Sequence, residues 1–533
     1  MNKRTLRWFA GILMTIRVAF PDASIETPDL WKNLTARAFE AYNRGAYGDA
    51  HALFESALRQ AVLFGADDDH LAASWNNLGT ACRALGRYAE AETLYRQAVN
   101  LREAILGPEH PELAAVLNNY ATALQVQGKY NEAEPLYRRA LAIWEKTPTV
   151  ETHHIAMCLN NLAGIYRSTA RYTEAESLYR RALSLYETGH GPDHPGVALA
   201  LNNLGVLYQS QGQYQPAREM HLRALRIQER ALAPGHPDLA ASLTNLADTH
   251  RAEGRAAEAL ELYERALAIR EKALGPGHPE VGEVLNNLGL VQKDLGRYEE
   301  SERLHRRALA IFQKSLGEGH VKVASSLNNL GKLALEQHRY AEAKHHLERA
   351  LSIWEKALGS GHPDLSAGLT NLGSLAYARR RYTEAQAFYE RALRIDEAAF
   401  PRGHPMVAAD LNNLGTVCHA RRKYADAESL YSRALAIYDA RLPAGHPAIA
   451  DVLMNLAAAY ILERRFSDAA PVYRRALAMR EQNLGADNPK LVKWLENYAV
   501  VLRKIENYAE AEAVEVHATR IRVKMALRAE ASR

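Results

Sequence analysis

The segment Leu201–Tyr214 reads LNNLGVLYQSQGQY, and its Asn-Leu-Gly triplet decides the fold. The triplet or a close variant returns every 42 residues, with the asparagine at Asn77, Asn119, Asn161, Asn203, Asn245, Asn287, Asn329, Asn371, Asn413, Asn455 and Asn497. A period of this length marks a solenoid, in which each unit buries its apolar face only against its neighbours. Eleven windows tile 72–533 without insertion, the last serving as a C-terminal cap, and a divergent twelfth precedes them at 30–71.

Within the window the spacing predicts two helices. Leu201, Leu204 and Tyr208 form an apolar stripe at intervals of three and four, and Gly205 on that stripe admits a second helix closely. Upstream, His194 and Pro195 stand as cap and first helical residue. Gly212 is a left-handed stop, and Ala217 and Ala224 are the small contacts of the second helix. The alanine matching Ala224 is present in all eleven windows, and the one matching Ala217 fails only at Ser301. Thr173–Glu176 and Asn131–Glu134 read as capping boxes for second helices. A loop such as Leu274–Pro279 (LGPGHP) joins one hairpin to the next. Thr147–His154 replaces that loop and reads as a flexible joint; Arg255-Ala256 replaces the usual basic-tyrosine pair.

Composition bounds the function. The 533 residues are 47% apolar and 24% charged, with a net charge of +4. So small a charge over so long a chain gives no field for nucleic acid. Cys82, Cys158 and Cys418 lie too far apart for a disulfide framework or a zinc spacing and read as buried thiols. Residues 1–29 stand apart: Lys3, Arg4 and Arg7 precede the uncharged run Trp8–Ile16, an incomplete match to an export signal. Cytoplasmic placement is favoured, with export or membrane tethering through 1–25 as the alternative, and no membrane span is expected.

The spacing Leu201, Leu204, Gly205, Tyr208, Ala217, His221, Ala224 resembles the tetratricopeptide repeat, in the 42-residue form of kinesin light chains and many bacterial proteins. Ala38, Gly45, Tyr47, Ala50, Phe54 and Ala57 extend the resemblance to the first, looser unit. It implies an all-α, right-handed superhelix of about twelve hairpins whose first helices line a concave, peptide-binding groove, with the row asparagines touching the ligand backbone. No heptad segment precedes the repeats, so the resemblance does not extend to a motor chain.

The helical wheel places Asn202, Asn203, Val206 and Gln209 away from the stripe, on the groove. An amide both donates and accepts, which suits the main chain of an extended peptide. The competing reading is a ladder in which each amide bonds a neighbouring helix. At the place of Gln209 the first half carries Arg83, Gln125, Arg167, Arg251 and Lys293, a basic lining for acidic segments. The second half carries Leu335, Tyr377, His419 and Ile461, with Arg503 last. His110, His194, His236, His278, His362, His404 and His446 recur one per loop, too far apart to share an ion, and read as caps or packing. His153-His154 and His345-His346 are weak metal candidates. No phosphate loop, nucleophile elbow or zincin helix is present, and no inserted segment carries a site. The expectation is a non-enzymatic scaffold without cofactor or metal, binding extended segments of partner proteins. An RNA-binding array, or docking of folded partners on outer or edge surfaces, is the alternative.

Overall fold

In the computed structural model the described residues are 28–65, 68–147, 150–233 and 235–531. Among them are twenty-four α-helices, one 3-10 turn at Pro489–Leu491, and no strand. The helices pair in chain order into twelve hairpins, from Pro28–Asn43 with Tyr47–Phe64 to Val492–Lys504 with Tyr508–Ala531. The divergent first window is thus a complete hairpin, closed over Ala38, Ala50, Phe54 and Ala57. The basic and apolar segment at 1–25 lies outside the described residues. No described helix is long and apolar enough to cross a membrane.

The small residues sit where two helices touch. Every alanine from Ala98 to Ala518 at the place of Ala224 is at most 2% exposed, and Ser301 replaces the other contact without opening it. A Cβ at Gly205 would lie 2.4 Å from the His221 ring, so only glycine lets the hairpin close there. Ala224→Leu should therefore overpack its hairpin by roughly 1–3 kcal/mol, seen as a lower urea midpoint with unchanged helix content.

First helices begin on the loop histidine. Nδ1 of His110, His194, His236, His278, His404 and His446 accepts from the backbone amide two residues on, at 3.1–3.3 Å. His320, which precedes valine rather than proline, does the same at 3.1 Å. Second helices start differently from the capping boxes expected. The caps are Arg171 and Lys129, neither with a side-chain cap bond, and Thr173 and Asn131 already lie inside the helix. Cap ψ values of 62° and 56° are not the extended backbone a capping box requires. Arg171 instead pairs with Glu174 at 3.1 Å. The Arg255-Ala256 exception changes nothing, since the helix still starts at Ala256.

The turn between the two helices needs one left-handed residue. Gly212 supplies it at φ 71°, but Ala170, His338, Arg380, Arg422, Arg464 and Glu506 hold φ 55–61° at the same place. A side chain there costs about 1 kcal/mol. Arg422→Gly should raise stability by about 0.5–1 kcal/mol, the flexibility of glycine in the unfolded chain offsetting part of the gain. Differential scanning calorimetry would read it.

The hairpins form two compact units. One comprises the chain up to Val206 with Pro216–His362, the other Leu207–Gln215 with Pro363–Arg533. Thr147–His154, read as a joint, lies inside the first unit. There Trp144 is buried and its ring sits 5.5 Å from that of His154; residues 148–149 are outside the described set.

Candidate functional site: the asparagine row

Ten of the eleven row asparagines are half-buried and Asn497 is exposed, so the row faces outward from the packing stripe. The residue before it is buried in four of the windows. Asn118, Asn160, Asn202 and Asn286 are 3–8% exposed, which corrects the placement of Asn202 on the groove. Its amide is held from behind: His221 Nδ1 lies 3.0 Å from Asn202 Oδ1, and Asn202 Nδ2 donates to Ser242 Oγ at 2.6 Å. His305, Asn286 and Ser326 repeat the arrangement at 2.9 and 2.8 Å. Burial drives both imidazole pKa values down to about 4, so both rings are neutral.

This difference splits the row. Where the second helix carries tyrosine in place of histidine, the asparagine on the first helix can accept, and a ladder forms at three such places, though not at Asn160, whose hairpin carries Tyr179. Asn119 donates to Asn76 at 2.9 Å, Asn161 to Asn118 at 3.1 Å, and Asn455 to Asn412 at 2.9 Å. Asn76 in turn donates to Asn77 at 3.3 Å. In the middle of the first unit the ladder stops: among the described residues the side chains of Asn203, Asn245, Asn287 and Asn329 make no hydrogen bond. Behind Asn203, both amide atoms of the 7%-exposed Asn160 lack a partner, and behind Asn287 the Thr244 hydroxyl does too. An unsatisfied buried amide costs about 1–3 kcal/mol, a debt a ligand would cancel. Asn371 has other interactions, and Asn413 is half-buried in the second unit.

The basic lining is less uniform than its sequence. A tyrosine twelve residues on holds this position from below: Tyr95 bonds Arg83, Tyr179 bonds Arg167, Tyr263 bonds Arg251, and Tyr137 donates to Gln125 Oε1 at 3.0 Å. Arg251 is paired with Asp294 at 3.3 Å, and Lys293 with Glu336 at 2.9 Å. Arg83 and Arg167 have no acidic partner among the described residues. Lys332 joins Arg251, Lys293, Asp294 and Glu336 on the same face; burial, then the Lys293 charge, lowers its pKa. Sequence reading missed it because serine, threonine or an apolar residue fills that wheel position in most windows. Arg503 is occupied by Glu515 at 2.8 Å.

Two clusters have metal-ligand chemistry. His51, Cys82 and Glu90 bring their ligand atoms within 4.8 Å, but Arg87 Nη1 lies 3.4 Å from His51 Nε2. Burial, then Glu90, pushes the Cys82 thiol up to about 12, so it stays protonated. The second, Glu151, His153 and His154, is accounted for by an exposed His153–Glu151 pair at 2.9 Å. His345 and His346 have ring centroids 5.6 Å apart, and His346 Nε2 lies 3.5 Å from Glu342. Cys82 and Cys158 are buried as expected, whereas Cys418 is only half-buried.

A family profile described as tetratricopeptide repeat matches residues 35–104, 70–146, 154–230, 217–272, 238–314, 280–356, 322–398, 364–440, 406–482 and 448–522. No curated protein matches. Among solved structures, a kinesin light chain protein of Podosopora anserina with nearly identical TPR-like repeats is 26% identical, covering 39% of this chain and 98% of that one, at a TM-score of 0.34. BtubC (BKLC) of P. vanneervenii is 28% identical over 46% of this chain and 91% of its own, also at 0.34.

Proposed function

Because the chain belongs to the tetratricopeptide repeat family, in its kinesin-light-chain-like form, and is a protein-interaction scaffold, we propose that it captures extended peptide segments along the row Asn203, Asn245, Asn287 and Asn329. The observation that carries this reading is the break in the ladder. These side amides and the buried Asn160 behind them have donors and acceptors that the protein leaves unused. An extended main chain presents both groups at every residue and would satisfy them whatever its side chains. Arg83 and Arg167, held by tyrosines and lacking acids, add a preference for acidic segments at the first hairpins. Asn77, Asn119, Asn161 and Asn455, engaged in or beside the ladder, would bind only by giving up a bond already made.

The test uses peptides selected from a random display library on the full chain. Replacing Asn203, Asn245 and Asn287 together with alanine should weaken the selected peptides by about 10- to 1,000-fold, from three lost hydrogen bonds at roughly 0.5–1.5 kcal/mol each. Asn119→Ala with Asn455→Ala should change affinity little. Unchanged capture by a folded triple variant would sink the reading.

A further inference from the structure

The loop histidines behave differently along the chain although His110, His194, His236, His278 and His320 make the same cap bond, the helix after His362 being capped one residue on at Pro363. His110, His194 and His236 are half-buried, whereas His278, His320 and His362 are only 5–6% exposed. The cause lies between five and six repeats back in the same unit. His362 Nε2 donates to the Val126 carbonyl at 3.0 Å across 236 residues. His320 makes the matching bond to the Ala84 carbonyl, one repeat earlier. A Cβ on Gly86 would lie 2.9 Å from the His320 ring, and one on Gly45 2.5 Å from that of His278. Gly254 and Gly296, at the same turn position and with φ of 77° and 76°, have open space instead.

We propose that His278, His320 and His362 form a seam that clasps later loops of the first unit to its earlier turns, and that protonation of His278 and His320 parts this seam and widens access to the concave face. The chemistry follows from the two ring nitrogens. In His320, Nδ1 accepts from the Lys322 amide at 3.1 Å while Nε2–H donates to a carbonyl, so only the neutral ring serves both partners. A second proton would point Nδ1–H at an N–H and strand a charge in the seam. The charged groups around His320 are Lys322 and Glu283. Those around His278 are Glu280, Arg270, Lys322 and Glu283, with the Tyr47 hydroxyl across the seam near both glutamates. Burial outweighs the glutamates and lowers the His278 pKa, and burial with Lys322 takes His320 down to about 4. A depressed histidine pKa means the closed form binds fewer protons than the open one. Closure is therefore complete above about 6.5, the open-state value, and is lost as pH falls toward about 4.

The experiment places spin labels at the exposed positions Arg87 and Gly319 of the full chain and follows their separation. From pH 7.5 to pH 5 the distance should at least double while far-UV circular dichroism keeps its helical signal. The variant His278→Asn, His320→Asn, His362→Asn retains the caps at 278 and 320, since Asn488 caps its own turn with Oδ1 at 3.0 Å from the Lys490 amide, but its side chains are too short to cross the seam. It should be open at pH 7.5 and insensitive to pH. Gly86→Asn, which accepts the left-handed backbone but meets the His320 ring, should also open the seam; Gly296→Asn should not. A pH-independent distance in the parent chain, lengthening only with loss of helix, or equal effects of the two glycine variants would each overturn the proposal.

Discussion

Asp410→Asn is expected to stabilise the second unit at pH 8.5 and to abolish most of its loss of stability between pH 5 and pH 8.5. Asp396 and Asp410, on successive hairpins, are 0% and 2% exposed. Ser366 donates to Asp396 Oδ2 at 2.9 Å, but Asp396 Oδ1 and Asp410 Oδ2 have no partner. Burial raises both carboxyl pKa values, and the neighbouring Asp396 charge raises Asp410 further. The folded pair thus keeps a proton that the unfolded chain gives up above pH 4. Its contribution is full below that point and falls as pH rises through the folded values. An amide in place of one carboxyl retains a donor without that proton, worth roughly 1–4 kcal/mol at pH 8.5.

Hydrogen exchange of peptides spanning Asp396 and Asp410 reads this locally. The parent should exchange faster at pH 8.5 than the intrinsic rate increase explains, and the variant should not. Equal pH dependence in both would show that the pair does not control the unit. Other repeats show what the acids replace: Tyr438 with Val452, and Trp144 with Cys158, hold the same two repeat positions and are all buried, a large group with a small one in each case. Asp396→Tyr with Asp410→Val should therefore stabilise at least as much.

The period of 42 made the fold legible because a solenoid repeats its contacts with its sequence. Gly205 and Ala224 could be placed from one window. The wheel also set the row asparagines off the packing stripe, and they are half-buried or, at Asn497, exposed. It failed at Asn202 because a wheel knows only its own helix, and the group that draws this amide inward, His221, belongs to the next. Asp396 and Asp410 were invisible for a similar reason: fourteen residues apart, they meet only because consecutive hairpins stack. The histidine seam lies further from local sequence still. It depends on the rotation between repeats summed over several hairpins, so His236 and His278, which read identically in their loops, have different surroundings.

That same dependence on neighbours makes the four basic groove positions unequal, and a charge-reversal pair separates them. Arg83→Glu with Arg167→Glu should cost acidic peptides at least about 100-fold in affinity, since two charge-assisted bonds at 1.5–3 kcal/mol are lost before any repulsion is counted. Neutral peptides selected on the same chain should lose little. Arg251→Glu with Lys293→Glu should shift acidic-peptide binding by less than about tenfold, because Asp294 and Glu336 already take up those charges. The salt dependence should divide in the same way. The parent's preference for acidic peptides should shrink as ionic strength rises, because half-exposed pairs are screened, and the Arg83 and Arg167 variant should have little preference left to lose. Titration calorimetry with one acidic and one neutral peptide at two salt concentrations decides it. Equal losses from the two reversals would mean that the internal pairs do not shield Arg251 and Lys293. No loss from the first would remove the acidic preference while leaving capture of the peptide main chain by the asparagines intact.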